Sequence, residues 1–350
     1  MPMEREKIKL DSILLGRIGF DRLEFFINYD DVYFSVYKHI KNEKMGTSSI
    51  DESDYIKEKQ FKWRLYNGRR NGMDVLRLDI VLPRVFYDTN HNIYNVAAKK
   101  DTKEALKKVL NAIKEIGIDI PMKSLKCKKI EINKTIFLDE DLRDKNNKNI
   151  FKRIFCSLVS SNPEDVPTNP AGGLTVYKTI DEDRKSIKFY DKTSEIENTL
   201  KVEIIESQLC RFEITLKGEG IMRAFKTLDI TKITQPNINK VFKAEINDLE
   251  KNLEDYILNA SNELYQRFKS KEEIKERELT LGELRTTYQA YDTERTVIYS
   301  EIVENAVKKY RPNYTRNMDT VREIIGSESI SRFMNYKTAK NLLKKLKKNK

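Results

Sequence analysis

The chain has 350 residues, 66 of them Lys or Arg against 55 Asp or Glu, for a formal net charge of +11. With 39% hydrophobic and 35% charged residues it holds enough apolar material for one large core or two smaller ones, which excludes a disordered polyelectrolyte. The basic balance favours a polyanionic partner, nucleic acid above all. Cys127, Cys156 and Cys210 are scattered, so a disulfide framework and a CxxC zinc site are both excluded, and a reducing cytoplasm is expected. No run approaches the roughly 18 apolar residues of a membrane span. Met1–Lys7 has no apolar signal core, so the expectation is a soluble protein with no membrane partner.

In chain order, strands are predicted at Leu10–Phe20, Asp31–Tyr37, Phe61–Tyr66 and Val75–Leu82. A helix follows at Thr102–Ile116, where Ala105, Leu106, Val109, Leu110, Ile113 and Ile116 recur at helical spacing. Leu125–Phe137 reads as a strand, and acidic Asp139–Asp141 marks a helix start. Ser160–Gly173, with three prolines and two glycines, is a loop. Two strands come next, Ser186–Lys192 and Leu209–Lys217. Beyond Gln235 the pattern turns helical, at Lys240–Lys269, Glu301–Lys309 and a basic amphipathic helix, Thr338–Lys348. The expected class is α+β: an antiparallel-sheet catalytic part with ferredoxin-like, Rep-like units over 1–230, divisible near 120–160, and a helical, basic, DNA-binding domain over 231–350.

The chemistry concentrates on strand faces. Side chains alternate with period two, so Ile187 and Phe189 oppose Lys188, Tyr190 and Lys192, while Phe212 and Ile214 oppose Arg211, Glu213 and Thr215. Leu78 and Ile80 likewise oppose Arg77 and Asp79, and Ile130 and Ile132 oppose Lys129 and Glu131. Any sheet with one solvated face alternates this way. Here, however, the carboxylates are central, cations flank them and one face carries a tyrosine. If these strands share a sheet, Asp79, Glu131 and Glu213 converge as hard ligands for Mg²⁺ or Mn²⁺. Tyr190 is then the nucleophile, with Lys192 and Arg211 beside it and Lys188 or Lys192 favouring phenolate. Tyr288 and Tyr291 compete for that role, but their helical setting favours packing. His39 and His91 are far apart, so no paired-histidine metal motif exists, and His91 in Asn-His-Asn reads as a turn residue. The phosphate-loop, dinucleotide-binding and Ser-hydrolase signatures are missing, which disfavours ATP-driven chemistry.

These motifs, in this order, resemble those of the gene II/X family, the replication initiators of filamentous phages. The likeness runs through Leu10–Phe20, Leu78–Val96 with Asp79, Pro83 and His91-Asn92, Lys129–Phe137, Tyr190–Glu195 and Arg211-Phe212-Glu213 with Lys217. Lys129 and Glu131 depart conservatively from the family's Arg-Ile-Asp strand, and the likeness fades after about 235. The resemblance implies that Tyr190 nicks and rejoins DNA at a double-strand origin in a bacterial host. Its partners would be origin DNA, both duplex and displaced single strand, with a host helicase and polymerase. A plasmid initiator or relaxase without paired histidines, and a non-enzymatic origin-binding protein, remain alternatives.

Overall fold

The computed structural model describes residues 6–8, 15–34, 49–50, 62–71, 73–87, 94–115, 117–138, 154–156, 158, 175–181, 184–200, 202–204, 208–294, 300–312, 317–325 and 336–348. His91, the Ser160–Gly173 loop and the helix start at Asp139–Asp141 lie outside the described residues. The strands are β1 (Glu6–Ile8), β2 (Gly19–Ile27), β3 (Tyr33–Phe34), β4 (Ser49–Ile50), β5 (Trp63–Arg70) and β6 (Met73–Val81). They continue with β7 (Ile118–Asp119), β8 (Lys126–Phe137), β9 (Thr175–Ile180), β10 (Lys185–Asp191), β11 (Val202–Ile204) and β12 (Leu209–Lys217). The helices are α1 (Leu82–Phe86), α2 (Lys100–Glu115), α3 (Lys192–Leu200), α4 (Glu219–Phe225) and α5 (Gln235–Lys275), then α6 (Leu281–Glu294), α7 (Ser300–Tyr310), α8 (Asn317–Ile325) and α9 (Tyr336–Lys347).

Eight strands form one sheet in the order β4-β5-β6-β2-β8-β12-β10-β9, antiparallel at each pairing from β4 to β10. The class is α+β, with helices concentrated in the C-terminal half. One face of the sheet is apolar because the alternation stays in phase from strand to strand. Ile132 lies opposite Ile214, Ile214 opposite Ile187, and Phe212 opposite Phe189, all buried. Each such side chain removed from water contributes about 1.5–3 kcal/mol. Phe212 also stacks 4.5 Å from Phe189 and meets the edge of Phe242, from the start of α5, at 5.3 Å.

That docking of α5 places the division of the chain. One compact unit holds Met1–Phe137 and Tyr177–Ala244, the other Leu138–Val176 and Glu245–Lys348. The division thus falls inside α5 and not near 230, since Ile238 and Phe242 belong to the core under the sheet. The helix begins where Thr234 donates its backbone N–H and its hydroxyl to Asn237 Oδ1, at 3.0 and 2.6 Å, half of a capping box.

In the second unit Leu249, Leu253, Ile257, Ala260, Leu264 and Phe268 form the buried stripe of α5, spaced three or four residues apart. Tyr288 and Tyr291 are buried, and Tyr291 Oη donates to the Ala260 carbonyl at 3.1 Å, so packing accounts for both. α9 buries Leu342, Leu343 and Leu346, while Lys340 and Lys347 pair with Glu254 and Glu250 of α5.

Two irregularities interrupt the β2–β8 ladder. Phe20 faces Ile132 and Leu23 faces Ile130, so Asp21 and Arg22 together oppose the single residue Glu131. Three residues further along, the extra residue is Lys128, on β8. Such β-bulges re-aim side chains and often adjoin sites. The entry to the first one is tight. Phe20 exchanges two 2.8 Å backbone hydrogen bonds with Val96, and a Cβ on Gly19 would stand 2.6 Å from both Asn95 Oδ1 and the Val96 carbonyl. Gly19→Ala is therefore expected to destabilise the protein by about 1–3 kcal/mol, as overpacking does. Chemical denaturation of the pair would measure it, and an unchanged midpoint would contradict this close approach.

Candidate active site

Tyr190 is the penultimate residue of β10, directly opposite Arg211 on β12. The strand ends one residue later because Asp191 caps α3: its carboxylate accepts from Ser194 N at 3.1 Å and Ser194 Oγ at 2.7 Å. Lys192 therefore sits in the first turn of a helix and not on the strand, which corrects the alternation reading. It still reaches Tyr190, with Nζ 5.6 Å from the centre of the ring. Thr193 Oγ1 accepts from Leu209 N at 2.6 Å, which ties this junction to the start of β12.

Around Tyr190 the sheet's polar face carries an enclosed array of charge. Asp21, Glu131 and Glu213 each offer an oxygen, and the three oxygens lie within 4.8 Å of one another. All three residues are buried. Each carboxylate has its own cation: Lys129 pairs with Glu131, Lys188 Nζ donates to Glu213 at 2.6 Å, and Arg211 Nη1 donates to Asp21 Oδ2 at 3.3 Å. Arg211 is fully buried and also donates from Nε to Thr135 Oγ1 at 2.8 Å. Between them, opposite Glu213, lies Asn133. Its Oδ1 accepts from Asn95 Nδ2 at 3.0 Å, leaving Nδ2 buried and with no acceptor among the described residues.

Of the residues named from sequence, Tyr190, Lys192, Arg211, Glu131 and Glu213 are brought together, and Asp79 is not among the clustered carboxylates. Asp79 shares the polar face but stands on β6, where Arg22 grips both of its oxygens, donating from Nε at 2.7 Å and from Nη2. The third carboxylate is Asp21. Counting by twos from Leu23 and Phe25 places Asp21 in the core; the bulge turns it to the polar face, and no residue pattern announces that. Glu195 was also missed. It faces Lys192 one helical turn on and accepts from its Nζ at 2.7 Å.

The protonation energetics are set by burial. Burial pushes the Tyr190 phenol well above its ordinary value; Arg211 pulls it down, and Glu213, Glu195 and Asp21 push it further up. The expectation that the lysines favour phenolate is thus reversed. Lys188 is committed to Glu213, and burial followed by the Arg211 charge lowers the pKa of Lys192 itself. Burial likewise raises Asp21, only partly offset by Arg211, and raises Glu131, helped by the neighbouring Glu213 charge. Burial opposes the charge on Arg211, but Tyr190, Asp21 and Glu195 outweigh it and keep the guanidinium protonated.

This donor set fits a hard divalent cation. Three carboxylate oxygens within 4.8 Å suit a coordination sphere in which opposite Mg²⁺ ligands lie about 4.2 Å apart. Asp21 Oδ1 is buried and accepts no hydrogen bond among the described residues, an uncompensated lone pair of the kind a cation satisfies. No protein-family model and no curated protein matches the chain. No helix among the described residues is long and apolar enough to cross a membrane.

Proposed function

We propose that the chain is a metal-dependent DNA nickase and ligase that initiates rolling-circle replication, with Tyr190 as nucleophile. One observation carries the reading: a tyrosine stands beside three converging buried carboxylates and a fully buried arginine on one face of a sheet. The resemblance to the gene II/X initiators, through the ordered motifs around Tyr190 and Arg211, supports the same chemistry.

A phosphodiester repels nucleophiles because it is anionic. Asp21, Glu131 and Glu213 would hold Mg²⁺ or Mn²⁺, which supplies charge neutralisation at a nonbridging phosphate oxygen. The phenolic proton of Tyr190 passes to the neighbouring Lys192, whose pKa is lowered by burial and by the Arg211 charge, and Glu195 holds that amine in place. Tyr190 Oη attacks phosphorus, the P–O3′ bond breaks, and the 3′ oxygen leaves with the proton that Lys192 took from the phenol. Asn133 Nδ2 and the Arg211 guanidinium are donors on the same face for the charge that develops. The phosphotyrosine keeps the bond energy, so the reverse attack by a 3′ hydroxyl reseals the strand without ATP. The free 3′ end would prime a host polymerase, and a host helicase would open the duplex.

The test is supercoiled DNA of the replicon that encodes the chain, incubated with protein plus Mn²⁺ or EDTA and run on denaturing gels. The expected result is a nick formed with the metal and not with EDTA. Origin-specific binding with no nick under either condition would instead make the chain a non-enzymatic origin-binding protein.

A further inference from the structure

The polar face continues away from Tyr190 into a second, chemically different cluster. Phe26, on β2, occupies a polar-face position, and three cations from three other strands gather on its ring. Arg70 of β5 lies 5.2 Å from the ring centre, Arg77 of β6 5.6 Å, and Lys128 of β8 5.4 Å. All four side chains are half-buried. Glu24 is the acidic member, paired with Lys128 and accepting from Tyr66 Oη at 3.0 Å. The cluster therefore keeps an excess of positive charge, held by an aromatic ring.

Its geometry is prepared by two backbone features. The second bulge of the β2–β8 ladder falls at Lys128. Gly68 of β5 leaves room for Arg77 to lie along the sheet, since a Cβ there would stand 2.2 Å from Arg77 Nε. A glycine inside a strand is costly unless something approaches it closely, and here the arginine does.

We infer that the Phe26–Arg70–Arg77–Lys128 cluster binds the backbone and bases of single-stranded DNA running along the sheet from the Tyr190 site. The cations match phosphates, and guanidinium groups gathered over an aromatic ring offer planar π-surfaces to unpaired bases. A duplex hides those faces, which favours a single strand. The register gives the span. Phe26 lies opposite Lys126 of β8, while Tyr190 is level with Thr135 through Arg211, nine residues along the same strand. At about 3.3 Å per residue the two are about 30 Å apart along the strand direction, and at the base-stacked rise of about 3.4 Å a strand needs roughly nine nucleotides to cover it.

The inference rests on DNA being the substrate, not on the identity of the nucleophile, and equilibrium binding in EDTA separates the two. The probes are labelled oligo-dT strands of about 8 and about 24 nucleotides and a duplex of the longer length. The wild type is expected to bind the long strand more tightly than the short one. Arg70→Glu with Arg77→Glu is expected to lose about 10-fold or more on the long strand only and to flatten its salt dependence, by about 0.7 in log–log slope for each phosphate no longer neutralised. Gly68→Val, which keeps every charge but displaces Arg77, is expected to lose in the same direction by a smaller factor. A charge-matched control, Lys103→Glu with Lys107→Glu on the exposed side of α2, should leave the difference between lengths intact. Equal losses in that control, equal losses on duplex, or full long-strand affinity in the double reversal would each overturn the inference. A protein that binds as expected but never nicks would leave this surface standing and remove the nickase reading.

Discussion

Tyr190→Phe is expected to abolish nicking and rejoining, by on the order of 10⁴-fold or more, as removal of a covalent nucleophile does elsewhere. The substitution deletes one oxygen from a half-buried ring and leaves its packing beside Lys192 and Arg211 in place. Stability should change little, or rise slightly, because burial and three neighbouring carboxylates already disfavour the phenolate. DNA binding should persist, since the cations of the sheet face are untouched. The same environment predicts a rate that climbs with pH until the Tyr190–Lys192 proton transfer is no longer limiting. Removing the partner that orients the amine, in Glu195→Gln, should shift that profile and leave the fold intact. An activity unchanged in Tyr190→Phe would exclude Tyr190 and send the search to another hydroxyl.

The second large effect belongs to Asp21. Asp21→Asn keeps an oxygen acceptor for the fully buried Arg211 and removes a negative charge that burial already disfavours, so the metal-free fold should survive. The metal-free denaturation midpoint should hold or rise, and a Mn²⁺-dependent gain in melting temperature should vanish. Glu213→Gln is the companion: it takes the carboxylate from the part-exposed Lys188 only, so the fold should again survive while metal stabilisation is lost. The pH dependence has a definite sign. Asp21 and Glu131 have folded pKa values raised by burial, so the folded state holds their protons longer than the unfolded chain. Metal-free stability from these groups is therefore complete below about pH 4 and lost as pH rises through the folded values. A bound cation prefers the ionised carboxylates, so its stabilising effect should grow over the same range. Equal metal effects in wild type, Asp21→Asn and Glu213→Gln would mean that the carboxylates form an ion-pair network and hold no metal.

How far the sequence reaches follows from which interactions are periodic. The strands Val75–Leu82, Leu125–Phe137 and Leu209–Lys217 were legible within a residue or two of β6, β8 and β12, because each places an apolar side chain at every second position through its centre. The α2 helix was legible for the corresponding reason at helical period. Arg211, Glu213 and Glu131 followed from the same alternation, since a strand that shows its inward residues also shows its outward ones. Asp21 did not, because a bulge depends on a partner strand, and one inserted residue reverses the parity on which alternation relies. Asp79 stands outside the cluster for a related reason. Its charge and position on the face are right, but the guanidinium that claims it sits on a strand the sequence does not name as its neighbour. The extent of the helical unit was also out of reach. The first turns of α5 belong to the core beneath the sheet, and only the three-dimensional fold shows which side of the division they join.

The central claim is a covalent bond from DNA to one named oxygen, and peptide mapping reads that bond directly. Protein incubated with origin DNA and Mn²⁺ would be denatured, digested with protease and nuclease, and searched by mass spectrometry for a nucleotide adduct. The expected product is a nucleotide joined through its 5′ phosphate to the peptide containing Tyr190, absent with EDTA and absent from Tyr190→Phe. An adduct on Tyr288, Tyr291 or any other residue, or metal-dependent nicking without an adduct, would contradict it.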